Sequence, residues 1–279
     1  HDDAELPAEL QGLDDHDLLL RVRCLVVFAD VRGPHGALDV LRQLKCHDSQ
    51  MLVRLHDVAR KGVPAPALLD AFDAALVYHN ALDTWPTEAL GDALAAFADR
   101  GGGVVECLFS LADNTAPFAP AWQYAVTGSG GDLALGGRWR AGAYGALTPG
   151  RQDERARGDG LELGEVACPD HPVMAGVRAL SGGRSSYFAT GAVPGHGKAR
   201  VLAYWKVPTL AGGRWARAPL AVEALAPGHG GDPGAGPAEA LEEIMDGRRT
   251  SGRGKIVALN LFPPSSDADP SLWDASTDG

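Results

Sequence analysis

The stretch from Asp73 to Ser110, DAALVYHNALDTWPTEALGDALAAFADRGGGVVECLFS, constrains the fold more than any other part of this 279-residue chain. Ala74 to Tyr78 is a short apolar run of strand formers, and Val104 to Phe109 is another. Between them Asp83 or Thr84 is placed to cap a helix, with Pro86 in its first turn, where a missing N–H costs nothing. Leu90, Leu94 and Phe97 repeat at helical spacing and give one apolar stripe to lay on a sheet. Gly101, Gly102 and Gly103 stop the helix, because glycine takes left-handed backbone angles freely. A strand, a helix of about four turns and a second strand within roughly forty residues make a right-handed crossover between parallel strands. Ligands of such sheets sit at the carboxyl ends of the strands. Those ends carry His79 and Asn80 on one strand and Cys107 to Ser110 on the other.

The flanking sequence repeats the pattern. Arg23 to Ala29 (RCLVVFA) is a continuous apolar run, as expected of a central parallel strand buried on both faces. A helix is expected over Ala37 to Leu44, a strand over Met51 to Leu55 and a helical turn over Pro66 to Phe72. Alternating strands and helices predict a doubly wound α/β sheet. Residues 1–20 read as an acidic arm, 21–266 as one domain and 267–279 as a polar tail. Two insertions interrupt the domain. Residues 111–160, with LALGGRWRAGAYGAL, are too long for a simple connection, and such loops are functional or ordered by their own packing. Residues 226–254 are rich in Gly and Pro, with one acidic helical piece from Pro237 to Met245. Between the insertions lie CPDHPVMAGV and three strand-like runs, RSSYFATGAV, RVLAYWKV and PLAVEAL; Lys255 to Phe262 is the last strand.

Charge and composition exclude several function classes. With 36 acidic against 25 basic residues the formal charge is -11, and the Lys and Arg are dispersed. Nucleic acids and anionic membrane surfaces need clustered cations, so neither is an expected partner. No apolar run approaches the roughly 18 residues of a membrane span, and the first residues lack the basic and apolar regions expected of a signal peptide. Cys24, Cys46, Cys107 and Cys168 are widely spaced without a CxxC pair, which points to reduced thiols and an intracellular, by default cytoplasmic, protein.

Five motifs in order, FDAALVYHN, EALGDALAAFADRGGGVVE, LGGRW with AGAYGAL, DHPVMAGV and GKIVALNLFPPSS, resemble the class I glutamine amidotransferase-like superfamily and, within it, the ThuA-like branch. The resemblance covers roughly residues 22 to 266. It implies a flavodoxin-like three-layer α/β sandwich with a parallel central sheet and additional strands in the C-terminal half. It also implies a site above the third and fourth strands. Catalytic members of the superfamily carry a cysteine on a glycine-flanked elbow and a histidine after the last strand. Cys107 falls near the elbow position, but Val105 and Phe109 stand where glycines belong. Phe262 stands where the histidine would be and Pro264 replaces the acid beside it. Without a base to deprotonate it, a thiol is only a few per cent thiolate at neutral pH, so the resemblance implies a pseudoenzyme.

Each candidate site residue has a functional and a plain reading. Cys107 is either a nucleophile served by His79 and Glu106 or an apolar filler of a buried strand. Glu106 is an acid or base if buried; otherwise it faces solvent or pairs with an arginine. Arg138 in GGRW either clamps a carboxylate or holds the long insertion down. Asn80, Ser110 and Arg138 together are the candidate ligand-binding set for a sugar or carboxylate. His171 in DHPVMAGV is expected to cap or order its turn. Cys46, His47, His56 and Asp57 fit no standard zinc spacing, so no metal is expected. GSGG at 128–131 lacks the lysine of a phosphate loop and reads as a turn. No motif calls for a cofactor. The leading expectation is a noncatalytic binding or scaffolding module with protein partners in a larger assembly, for which related domains in eukaryotic transport and ciliary scaffolds are a precedent by resemblance. Its interaction surface is expected to include an outward aromatic patch drawn from Trp122, Trp139, Trp215 or Trp273. The alternatives are a thiol hydrolase or ThuA-like carbohydrate-modifying enzyme using Cys107 and His79, and a small-molecule binding domain.

Overall fold

A computed structural model of the chain describes residues 22–30, 51–80, 86–107, 110–111, 135–142, 144–148, 155–157, 162–180, 187–189, 192–195, 199–206, 218–227 and 254–261. Four strands open the chain: β1 (Val22–Asp30), β2 (Met51–Asp57), β3 (Ala74–Asn80) and β4 (Gly103–Cys107). Between β2 and β3 lie the short helices α1 (Val58–Lys61) and α2 (Pro66–Asp70), and between β3 and β4 lies α3 (Thr87–Asp99). The 111–160 insertion contributes α4 (Gly137–Ala141), β5 (Leu147–Thr148) and β6 (Arg155–Arg157). The C-terminal half adds β7 (Glu162–Val166), β8 (Tyr187–Ala189), β9 (Val193–Pro194), β10 (Arg200–Lys206), β11 (Pro219–Leu225) and β12 (Lys255–Leu259).

The main sheet has eight strands in the order β2-β1-β3-β4-β12-β11-β10-β7. The strands from β2 to β12 run parallel, and β11, β10 and β7 join antiparallel. Taking β12 as the fifth parallel strand, the order 2-1-3-4-5 is flavodoxin-like, with its switch point between β1 and β3. This is the α/β sandwich expected, with the additional strands in the C-terminal half. Position follows composition: the apolar run Cys24 to Ala29 is buried throughout and sits between two parallel neighbours.

The β3–α3–β4 unit forms as its pattern predicts. Leu90, Leu94 and Phe97 are buried along one stripe, joined by Gly91, Ala95 and Ala98. Its start differs from expectation. Pro86 is the cap residue rather than a first-turn residue, and no side chain caps the helix; Asp83 and Thr84 lie outside the described residues. The glycines divide their work. Gly101 takes φ 90°, Gly102 lies so close under the Phe97 ring that a Cβ would collide with it, and Gly103 starts β4 opposite Ala74. The expected helix over 37–44, residues 228–253 of the 226–254 insertion, GSGG at 128–131, the N-terminal arm and the C-terminal tail also lie outside the described residues.

Gly91 makes the α3–α4 contact possible. A Cβ there would run into the Gly136 carbonyl oxygen and lie 3.1 Å from the Trp139 Cβ. On an exposed helix Gly→Ala gains roughly 0.5–1 kcal/mol. Here Gly91→Ala is expected instead to destabilise by about 1–3 kcal/mol through overpacking, read as a lower urea midpoint at unchanged slope.

Candidate functional site

The carboxyl ends of β3 and β4 are where the sequence places a site. Cys107 is the last residue of β4, paired with Leu259 of β12, so it is a ladder residue rather than the tip of an elbow. It is 1 % exposed, and burial first, then the neighbouring Glu106 carboxyl, push its thiol well above the usual range. Ser110 closes the strand end. Wholly buried, its hydroxyl is within hydrogen-bond distance of the Cys107 carbonyl at 2.7 Å and the Val77 carbonyl at 3.2 Å.

His79 and Asn80 end β3 and pair with Ala29 and Asp30 of β1. Val77 lies opposite Glu106, and paired residues share a face while successive residues alternate. Glu106 therefore shares the face of Val77, and Cys107 belongs to the other. The side chains of His79 and Asn80 lie outside the described residues.

Glu106 is the least expected feature of the site. It neither meets solvent nor pairs with an arginine: it is fully buried in the middle of the sheet. Trp139 Nε1 donates to its Oε2 at 3.0 Å and the Ala146 amide donates to its Oε1 at 3.1 Å. Burial pushes its pKa up to about 8, against the opposing pull of those two donors. Burial thus favours the neutral carboxyl near neutral pH. Trp139, offered by the sequence as an outward patch, is buried and stacks on Tyr144 with ring centroids 5.4 Å apart. Trp122, Trp215 and Trp273 lie outside the described residues.

Arg138 holds the insertion down. Its guanidinium reaches Asp99 at the end of α3 at 2.6 Å and donates to the Tyr144 hydroxyl at 3.3 Å; its backbone amide donates to Asp92 at 2.7 Å. Tyr144 in turn donates to Asp99. The Arg138 side chain is 36 % exposed, so its ion pair is screened. Arg138→Ala is expected to cost about 1 kcal/mol or less, a small drop in thermal midpoint.

The remaining candidates serve local structure. His56 is buried and bonds the Gly62 carbonyl at 2.9 Å, while Asp57 caps α1 by accepting from the Ala59 amide. Cys46 and His47 lie outside the described residues, among which no group of three or more metal-ligating side chains comes together. His171 caps its turn, as expected: Nδ1 accepts from the Val173 amide, which leaves Nε2 to donate to Glu223 at 3.0 Å. Glu223 on β11 also gathers Arg200 and Lys255. The sequence carried no signal for that cluster, whose members come from four separate segments. Cys24, Cys107 and Cys168 are free thiols. Phe262 and Pro264 lie beyond the described residues, so the missing histidine is a statement of sequence.

A flavodoxin-like sheet extended by three antiparallel strands, with a buried cysteine and carboxyl at the end of its fourth strand, defines an α/β protein with the fold of ThuA-like proteins. The chain matches the crystal structure of a ThuA-like protein from Parabacteroides merdae ATCC 43184 with TM-score 0.50 and 13 % identity, over 92 % of this chain and 88 % of that one. A ThuA-like protein from Bacteroides uniformis ATCC 8492 aligns over 91 % and 87 % at TM-score 0.46 and 12 % identity. At this identity the likeness is one of fold. No family model and no curated protein matches the chain. No helix among the described residues is long and apolar enough to cross a membrane.

Proposed function

We propose that this chain is a noncatalytic ThuA-like domain, a binding and scaffolding module that works with protein partners in a larger assembly. The observation that supports this reading is the state of Cys107: a ladder residue, 1 % exposed, with its thiol pushed toward the neutral form. A nucleophilic thiol needs access, a base and a stabilised thiolate. The sequence supports the same reading, with Phe262 at the histidine position. The hydroxyl of Ser110 and the guanidinium of Arg138 are engaged inside the fold, which favours a scaffold over a small-molecule site built on them.

The test treats the folded chain with a glutamine-derived electrophile and with an activated ester, following product release and mass. The reading expects no turnover above buffer and no adduct on Cys107. It also expects the native mass of the chain with its co-purifying partners to be unchanged in Cys107→Ala. A burst of product with an adduct on Cys107 would instead establish a thiol enzyme.

A further inference from the structure

The two edges of the main sheet are built differently. At one, β7 carries Glu162 and Glu165, pairs with β10 in an interrupted register, and has the Leu163 amide bound to the Leu180 carbonyl at 2.8 Å. Charges, irregular pairing and a covering segment are how proteins close a sheet edge to other chains. At the other edge, β2 is seven residues long, free of Gly and Pro, and in unbroken register with β1 from Met51 to Asp57. Arg23 turns its amide and carbonyl toward Asp73 on the β3 side, so Cys24, Val26 and Phe28 turn theirs toward β2. In that parallel ladder Leu52, Arg54 and His56 bond β1, and Met51, Val53 and Leu55 point their amides and carbonyls outward. Among the described residues none hydrogen-bonds those outward groups.

The charges of this edge select its partner. Residues 51–61 hold three cations, Arg54, Arg60 and Lys61, against one carboxylate, Asp57, in a chain of formal charge -11. Asp57 is taken by Arg60 at 3.4 Å and by the Ala59 amide, while no carboxylate among the described residues pairs with Arg54 or Lys61. Burial lowers the pKa of His56, and Lys61 and Arg54 lower it further, which places both cations near that ring. Salt screens charges beyond about 8 Å at physiological ionic strength, so these cations, not the net charge, act on a strand laid along β2. Met51 and Leu55 pack against the core, so an added strand would continue that apolar layer on one face and meet Arg54 on the other. A second copy of β2 would only bring the same cations together. We propose that β2 is a docking edge, which adds to the sheet an extended segment of a partner protein alternating apolar and acidic residues. The docking edge gives the scaffold reading its contact surface and rests on that reading for the partner being a protein.

The test adds short dye-labelled peptides of alternating valine and glutamate, or of valine and lysine, to the folded chain and follows anisotropy and hydrogen exchange. The acidic peptide is expected to bind, less tightly as salt rises, and to protect the amides of 51–57 selectively. Arg54→Glu combined with Lys61→Glu should weaken it about tenfold and turn the preference toward the lysine peptide. Neither side chain is wholly buried, so this variant keeps the fold. Met51→Pro removes an outward amide at the first strand position, where proline is tolerated, and should weaken the acidic peptide with no change of charge. Absence of binding, equal affinity for the two peptides, unchanged affinity in the charge-reversed chain, or protection elsewhere than 51–57 would overturn the docking edge. So would protection of 51–57 that rises with the concentration of the chain alone, which would assign the edge to a second copy. The two readings fail separately: turnover at Cys107 counts against the scaffold, and an edge that binds nothing leaves the absence of catalysis standing.

Discussion

Between pH 5 and pH 8 the chain is expected to lose about 3–4 kcal/mol of stability through Glu106, a loss absent from Glu106→Gln. Burial raises its folded pKa from 4.5 to about 8. In that window the folded state binds a proton that the unfolded state has released, so raising the pH favours unfolding. The contribution is fully present below the unfolded value and gone above the folded one. His56 acts with the opposite sign: burial lowers its pKa, so the unfolded state binds more protons just below pH 6.5 and stability rises toward that value. Subtracting the Glu106→Gln profile from that of the natural sequence cancels His56 and isolates the carboxyl. Glutamine itself should cost a roughly constant ~2 kcal/mol, because its NH2 group would face the Trp139 N–H donor. The slope, measured by urea unfolding, therefore carries the result rather than the offset.

Trp139→Ala is expected to cost about 3–5 kcal/mol. The indole is wholly buried, stacks on Tyr144, lies against Gly91 of α3 and donates to Glu106. Alanine leaves a cavity between α3 and α4 and takes away one of the two donors that satisfy the carboxyl. Trp139→Phe keeps most of the ring and loses mainly the donor, so about 1–2 kcal/mol is expected. The pair separates packing from hydrogen bonding; equal costs would mean that the Glu106 contact carries the whole effect.

What the sequence made legible follows the range of the interactions. β1, β3, α3 and β4 could be read because their signals are local: continuous apolar runs, a stripe at helical spacing and a glycine stop that includes a residue at φ 90°. The ThuA-like order of motifs added the flavodoxin-like topology and the extra strands. Partnerships of long range were not legible. Glu106 and Trp139 are 33 positions apart, and His171 and Glu223 are 52 apart. One hint was available: an acid between Val105 and Cys107 in an otherwise apolar strand must be paired, protonated or turned outward. The sequence reading favours solvent or an arginine, and the structure buries the carboxyl. Arg138 pointed to a clamp in sequence, and its carboxylate belongs to α3 of the same chain.

The central claim, that Cys107 is part of the core and not of an active site, is tested most directly by alkylation of the folded chain from pH 5 to pH 9, followed cysteine by cysteine. Cys168, only half-buried, serves as the internal standard, and Cys24, whose thiol burial pushes up to about 11, as the buried reference. The account predicts that Cys107 stays unmodified while Cys168 reacts, and that urea unfolding makes the two equivalent. Fast modification of Cys107 below pH 7 in the folded chain would contradict it, because only an accessible, stabilised thiolate reacts there.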